Sequence, residues 1–295
     1  MKQPLATRRP TPVWGSRQRI ADGAGKRMKA RACRAFSLIE LMTVIGVVGI
    51  LGGLIGPGVA RARTKAGAAQ CLAHHHQFGV AMALYTADHH ETFPPNRDGR
   101  EVPLGETWVQ GWLGVPGPDC EDLEHLRRSL LGTYLANPAL WRCPAQGPVT
   151  VAGIRQLRVR TVSLNGFVGS PIRSPAASTY LRTADLIQLS PAECLTFIEE
   201  RADTINDGTF ALQWDFDTDR PELARLRDKP AMIHASSGNL TFADGHAETR
   251  RWRHMPTSLE SRDDVPAAGN PDLKWLQEHA TSRVPAGTPR QKDGL

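Results

Sequence analysis

One carboxylate lies where a carboxylate is costly. Glu40 stands at the head of Leu41 to Ala60, a run with no charged residue. An acid just inside so apolar a stretch costs about 3 kcal/mol on insertion scales, which marks it as functional and in need of a partner. Other residues invite a metal. His74, His75 and His76 are consecutive, and helical neighbours point about 100° apart, so the three cannot converge on one ion. They read as solvated or packed side chains. His234 and His246 flank an Asp-Gly turn and could meet near it around a metal. Asp215, Asp217 and Asp219 alternate like the start of a calcium loop, but Arg220 and Leu226 occupy the places where an EF-hand needs Gly and Glu. No nucleophile elbow, Walker loop, HExxH or dinucleotide fingerprint occurs, so nothing points to an enzyme.

The five cysteines are Cys33, Cys71, Cys120, Cys143 and Cys194. No CxxC pair is present, so neither a zinc ribbon nor a thioredoxin-type motif is expected.

The elements that must carry these residues follow from charge and hydropathy. The net charge is +6, yet ten Lys/Arg and one Asp fall in residues 1–35. The rest holds 26 basic and 29 acidic residues, which removes the case for nucleic acid as a partner. A basic block before an apolar run is the positive-inside pattern. Twenty uncharged residues would rise about 30 Å as a helix, the depth of a bilayer core. Gly46, Gly49, Gly52, Gly53, Gly56 and Gly58 punctuate the run, and small residues four apart let helices approach closely. Pro57 removes a backbone donor and weakens the helix locally. Residues 61–92 continue it with apolar positions at helical spacing, to about Asp88. Leu123, Leu126, Leu130 and Tyr134 form a helical stripe within residues 121–135. Asn239 to His246 reads as strand, Asp-Gly turn, strand, with Asp244 and Gly245 in the turn. Asn270 and Pro271 begin a short helix to about Ala280, followed by a tail rich in Pro, Gly and charge.

The run RAFSLIELMTVIGVVGIL resembles the prepilin signature shared by type IV pilins and type II secretion pseudopilins. The resemblance implies cleavage between Ala35 and Phe36 by a prepilin peptidase and methylation of the new amine. Glu40 becomes the fifth mature residue and Pro57 the twenty-second, where the family also carries a proline. Ala35 departs from the Gly usual before the cut. Glu40 of one subunit would then neutralise the Phe36 ammonium of another and set the subunits' axial register. Downstream, CLAHHHQFGVAMALYTADHHETFPP, LGTYLANPALWRCP and HASSGNLTFADGH are similar to segments of pseudopilin-like proteins. The last carries a His, nine residues, Asp-Gly signature: His234, Asp244 and Gly245.

The resulting expectation is an α+β, pilin-like fold. A long N-terminal helix, half transmembrane and half amphipathic, packs on a periplasmic antiparallel-sheet head. The parts are a leader (1–35), a transmembrane helix (36–60), its amphipathic continuation (61–92), a globular head (93–255), and a short helix with a loose tail (256–295). Cys71 on the helix and Cys143 after the segment packed on it are expected to form a disulfide, leaving Cys120 with Cys194; free buried thiols are the alternative. Some pseudopilins bind calcium through head loops, which keeps Asp203, Asp207, Asp215 and Asp217 as candidates; no other cofactor is expected. The implied function is a structural pseudopilin of a type II secretion-like system, single-pass in the bacterial inner membrane, N-terminus cytoplasmic and head periplasmic. Its partners would be prepilin peptidase, other pseudopilins or copies of itself, an inner-membrane assembly platform and the lipid bilayer. Alternatives are a surface type IV pilin subunit, or a membrane-anchored binding protein or enzyme using the His and Asp residues of the head.

Overall fold

A computed structural model describes residues 36–99, 102–103, 105–114, 116–151, 153–170, 176–213, 224–257 and 264–284. The leader, residues 1–35, lies outside them, and so does Ala35. Two units are distinguished, one ending at Leu54 and the other running from Ile55.

Helix α1 is Leu38–Asp88. Its start is a capping box of the Ser-x-x-Glu type. Ser37 Oγ accepts from Ile39 N at 3.4 Å, and Glu40 Oε2 accepts from Ser37 N at 3.0 Å. Its end is set by two left-handed residues, His90 (φ 54°) and Glu91 (φ 61°). Glu91 N donates back to Thr86 O at 2.8 Å, which closes the last turn.

In the first unit, the described part of α1 exposes Leu41, Val44, Ile45, Val48 and Leu51 alike. The membrane expectation is corrected here. Among the described residues no helix is long and apolar enough to cross a membrane. An acid, Glu40, stands in the first turn of α1, at the head of the stretch that would have to be apolar. The single-pass inner-membrane placement, with its cytoplasmic N-terminus and periplasmic head, falls with it.

The second unit holds the sheets. Strands β1 (Val149–Val151) and β2 (Ile154–Gln156) form a hairpin. Strands β3 (Val162–Asn165), β4 (Leu195–Glu199) and β5 (Thr209–Phe210) belong to the main sheet. Strand β6 (Arg225–Leu226) pairs with β9 (Val265–Pro266), and between them come β7 (Ser237–Phe242) and β8 (Ala247–Arg251). The five-stranded order is β5-β3-β4-β7-β8. The expected antiparallel sheet is therefore corrected to a mixed one, because β5 runs parallel to β3 with Leu164 opposite Thr209. The inner edge of β4 is already taken by β7, so the chain leaving β4 returns to the free edge of β3.

Two cores sandwich this sheet. On one face Phe78 of α1 meets Trp141 edge-on at 5.3 Å and Phe197 of β4 at 4.9 Å. Trp108 stacks on Trp141 at 6.0 Å and meets Phe197 at 5.4 Å. On the other face Leu195, Ile198 and Leu240 pack with Leu273 and Leu276 of helix α3 (Pro271–Ala280). A register shift between Leu195 and Phe197 explains how residues two apart face opposite cores, since a bulge resets the period-two alternation. Within the second unit, α1 buries Cys71, His75, Phe78, Met82 and Tyr85, a stripe at three- to four-residue spacing. Gly79 faces the β7–β8 turn so closely that a Cβ would run into the backbone of Gly245.

The stripe over residues 121–135 is corrected to one helical turn, α2 (Glu124–Arg127). Ser129 Oγ donates to Leu126 O at 2.7 Å, and this side-chain bond competes with continuation of the helix. Asn270 caps α3, accepting from Asp272 N at 2.9 Å and Leu273 N at 3.2 Å.

Candidate metal centre

The aromatic cluster orders a second constellation next to it. Trp141 closes a short 3-10 turn, Pro138–Trp141, and its Nε1 donates to Leu135 O at 3.0 Å. Two residues on, Cys143 N donates to Thr161 Oγ1 at 2.8 Å. Phe197 likewise precedes Glu199 by two positions on β4, so both point to the α1 face. Cys71 lies about two helical turns before Phe78 on α1. His234 enters through a tight turn: His234 N and O pair with Ser237 O and N at 3.2 Å each. The two central residues, Ala235 (φ 53°) and Ser236 (φ 64°), are both left-handed without being glycine. A turn of the I′ type demands that conformation, and each non-glycine residue in it costs about 1–2 kcal/mol.

These four elements bring Cys71, Cys143, Glu199 and His234 together. One donor atom from each lies within 4.8 Å of all the others, and all four residues are buried. Cys71 Sγ donates to Glu199 Oε1 at 3.2 Å. Cys143 Sγ and His234 Nε2 are 3.3 Å apart, and His234 Nε2 is 3.8 Å from Glu199 Oε2. Asn239 of β7 donates to Glu199 Oε2 through both its backbone N and its Nδ2, each at 3.2 Å.

The protonation pattern follows from contact and burial. The hydrogen bond from Cys71 and the bond to His234 hold the Cys143 thiol well below its ordinary value, against burial. Cys71 goes up, first through that same bond and then through burial. Glu199 is pushed up to about 8 by burial and then by the charge of Cys143. His234 is raised, chiefly by its bond to Cys143.

His75, one turn from Cys71 on α1, adds an unpaired acceptor. Thr241 Oγ1 donates its single proton to His75 O at 3.1 Å, so its 3.0 Å contact with His75 Nδ1 must be accepted from the ring. That tautomer leaves a lone pair on Nε2, which is buried and has no hydrogen-bond partner. Burial, then the charges of His74 and His234, push His75 down to about 3.

The sequence-derived candidates separate into groups. Cys71 and Cys143 do meet, but both are free thiols; so are Cys120 and Cys194, and neither expected disulfide is present. Cys120 contacts Arg158 Nη1 at 3.6 Å, whereas the Cys194 thiol lies 3.8 Å from Leu195 O. His234 and His246 do not share a site: they lie beyond opposite ends of β7, whose six residues span roughly 20 Å at about 3.3 Å each. His246 instead takes Asp244 Oδ1 at 2.6 Å and stacks on Phe242. Asp244 and Gly245 (φ 90°) form the expected turn. Asp203 is clamped by Arg201 through two 2.6 Å contacts, and Asp207 Oδ1 accepts from Thr209 N at 2.7 Å. Both are thus engaged by their own chain, and Asp215 and Asp217 lie outside the described residues. Phe36 is exposed, and Pro57 lies within α1 with its side chain outside the description.

Glu199 was missed by sequence reasoning, and His75 was read only as a solvated or packed side chain. The signal for Glu199 is faint: an acid closing the buried run Leu195-Thr196-Phe197-Ile198. His75 was hidden by its two histidine neighbours.

Comparison with known protein families, characterised proteins and solved structures returned no match to this chain.

Proposed function

We propose that the chain is a structural subunit of the pseudopilin type, made as a precursor and assembled with copies of itself through the start of α1. One observation carries this reading. The first turns of α1 present large apolar side chains in every direction, with a single acid, Glu40, at their head. Leu38 is 74% exposed and Ile50 67%, and contiguous apolar surface of that kind marks an interaction site. A second copy of the helix is the occupant that suits it. Around Gly46, Gly49, Gly52 and Gly53 nothing lies within 4 Å of an added Cβ, so another backbone can approach closely there.

The prepilin-type signature supports the same reading from sequence. Cleavage before Phe36 by a prepilin peptidase would place a new ammonium four residues ahead of Glu40. In a helix bundle the acid of one copy can exchange its capping bond for the amine of the next, because an unpaired buried charge is costly. The implied machine is a secretion system of the type II kind.

Mass spectrometry of the full chain, expressed with a prepilin peptidase, tests the reading. The expected first residue is N-methylated Phe36. A chain that keeps residues 1–35, or one cut after residue 60, overturns it. Glu40→Gln is expected to be processed normally but to drop out of co-assembly with wild-type subunits.

A further inference from the structure

We infer that Cys71, Cys143, Glu199 and His234 form a closed structural site for one zinc ion. This goes beyond the subunit reading and does not depend on it. The donor set is the first argument. Two thiols and an imidazole are soft and borderline ligands that suit zinc, while calcium and magnesium take oxygen shells. The geometry is the second. A tetrahedron with Zn–S of about 2.3 Å and Zn–N or Zn–O of about 2.0–2.1 Å has edges of about 3.3–3.8 Å. The contacts are close to these: 3.2 Å from Cys71 Sγ to Glu199 Oε1, 3.3 Å from Cys143 Sγ to His234 Nε2 and 3.8 Å from His234 Nε2 to Glu199 Oε2, and one donor atom from each residue lies within 4.8 Å of the other three.

The surroundings are the third argument. Asn239 fixes the Glu199 carboxylate with two N–H donors, the outer-shell support that metal-binding carboxylates usually have. The left-handed pair Ala235–Ser236 holds His234 in place against backbone strain, and strain of this sort concentrates at functional sites. A Cys71–Cys143 disulfide explains less. It would satisfy two sulfurs and leave a buried carboxyl and a buried imidazole without their thiol partners, which costs free energy.

Four protein ligands, all buried, leave no open position for substrate, so the site is structural and not catalytic. Binding would displace to solvent the protons that the ligand groups hold. The ligands come from α1, the segment after Trp141, the end of β4 and the turn before β7. One ion would therefore tie the helix to the sheet across residues 71–234.

The experiment uses the full chain and metal ions alone. Elemental analysis after purification with zinc present is expected to give one zinc per chain. Reloading the stripped chain with cobalt is expected to give the visible bands of a tetrahedral site and a thiolate charge-transfer band. Cys143→Ser should roughly halve that band, and Cys71→Ser with Cys143→Ser should abolish it. Zinc return should raise the thermal midpoint of the stripped wild-type chain and leave that of the double variant unchanged. Because the cobalt spectrum is read on the wild type, the test survives if a variant fails to fold. Absence of zinc with an intact mass two hydrogens light, the sign of a disulfide, overturns the proposal. So does zinc held equally by the double variant, or a cobalt spectrum without thiolate character.

Discussion

At the scale of single residues, burial decides what an ionisable group is worth. Asp228 is buried and its carboxyl is pushed up to about 7, chiefly by desolvation, against a value of 3.8 for the free side chain. Its Oδ2 accepts from Ala211 N at 2.6 Å, too little to offset that loss. Glu200 is raised in the same direction, also by burial. The sign follows from linkage: the folded state binds the proton more tightly, so stability is lost as pH rises from the unfolded pKa through the folded one. We expect urea midpoints to fall as pH rises from about 4 to about 7, and Asp228→Asn to flatten that slope. A steeper slope in the variant would contradict the assignment. None of this could be read from sequence, where Asp228 is one acid among charged neighbours.

At the scale of elements, three of the four clustered side chains are placed by aromatic packing a few residues away. Trp141 is wholly buried and touches Phe78 and Trp108. Trp141→Ala should cost about 3–5 kcal/mol, measured by chemical denaturation, and should also weaken zinc retention, although Trp141 touches no metal. The helical stripe of α1 and the Asp-Gly turn were legible beforehand, because each is a local pattern with its own period or turn chemistry. The helix expected over residues 121–135 was not. Its apolar spacing was right, but the serine and turn residues after Arg127 offered the backbone better local bonds.

At the scale of the whole molecule, the two units make different demands. The second, from Ile55, buries its own apolar residues in two cores. The first exposes them, and this is the surface that the proposed self-association would cover. Val48→Asp is expected to abolish concentration-dependent self-association in sedimentation while leaving the thermal midpoint of the second unit unchanged. Self-association unaltered by that charge would remove the interface from the first turns of α1.

The sequence alone determined the buried stripe of α1, the Asp-Gly turn and the capped C-terminal helix. All three rest on contacts within a few residues, where spacing and residue type suffice. The tertiary structure alone decided the rest. It made the sheet mixed, because strand order depends on which edge is free. It separated His234 from His246 by the length of β7 and joined His234 to two cysteines and a glutamate instead. Cysteines read as a disulfide and a histidine read as a possible partner of His246 become one donor set only when chain segments up to 163 residues apart are folded against each other. A period or a motif cannot encode that distance; the packing of Phe78, Trp141 and Phe197 does.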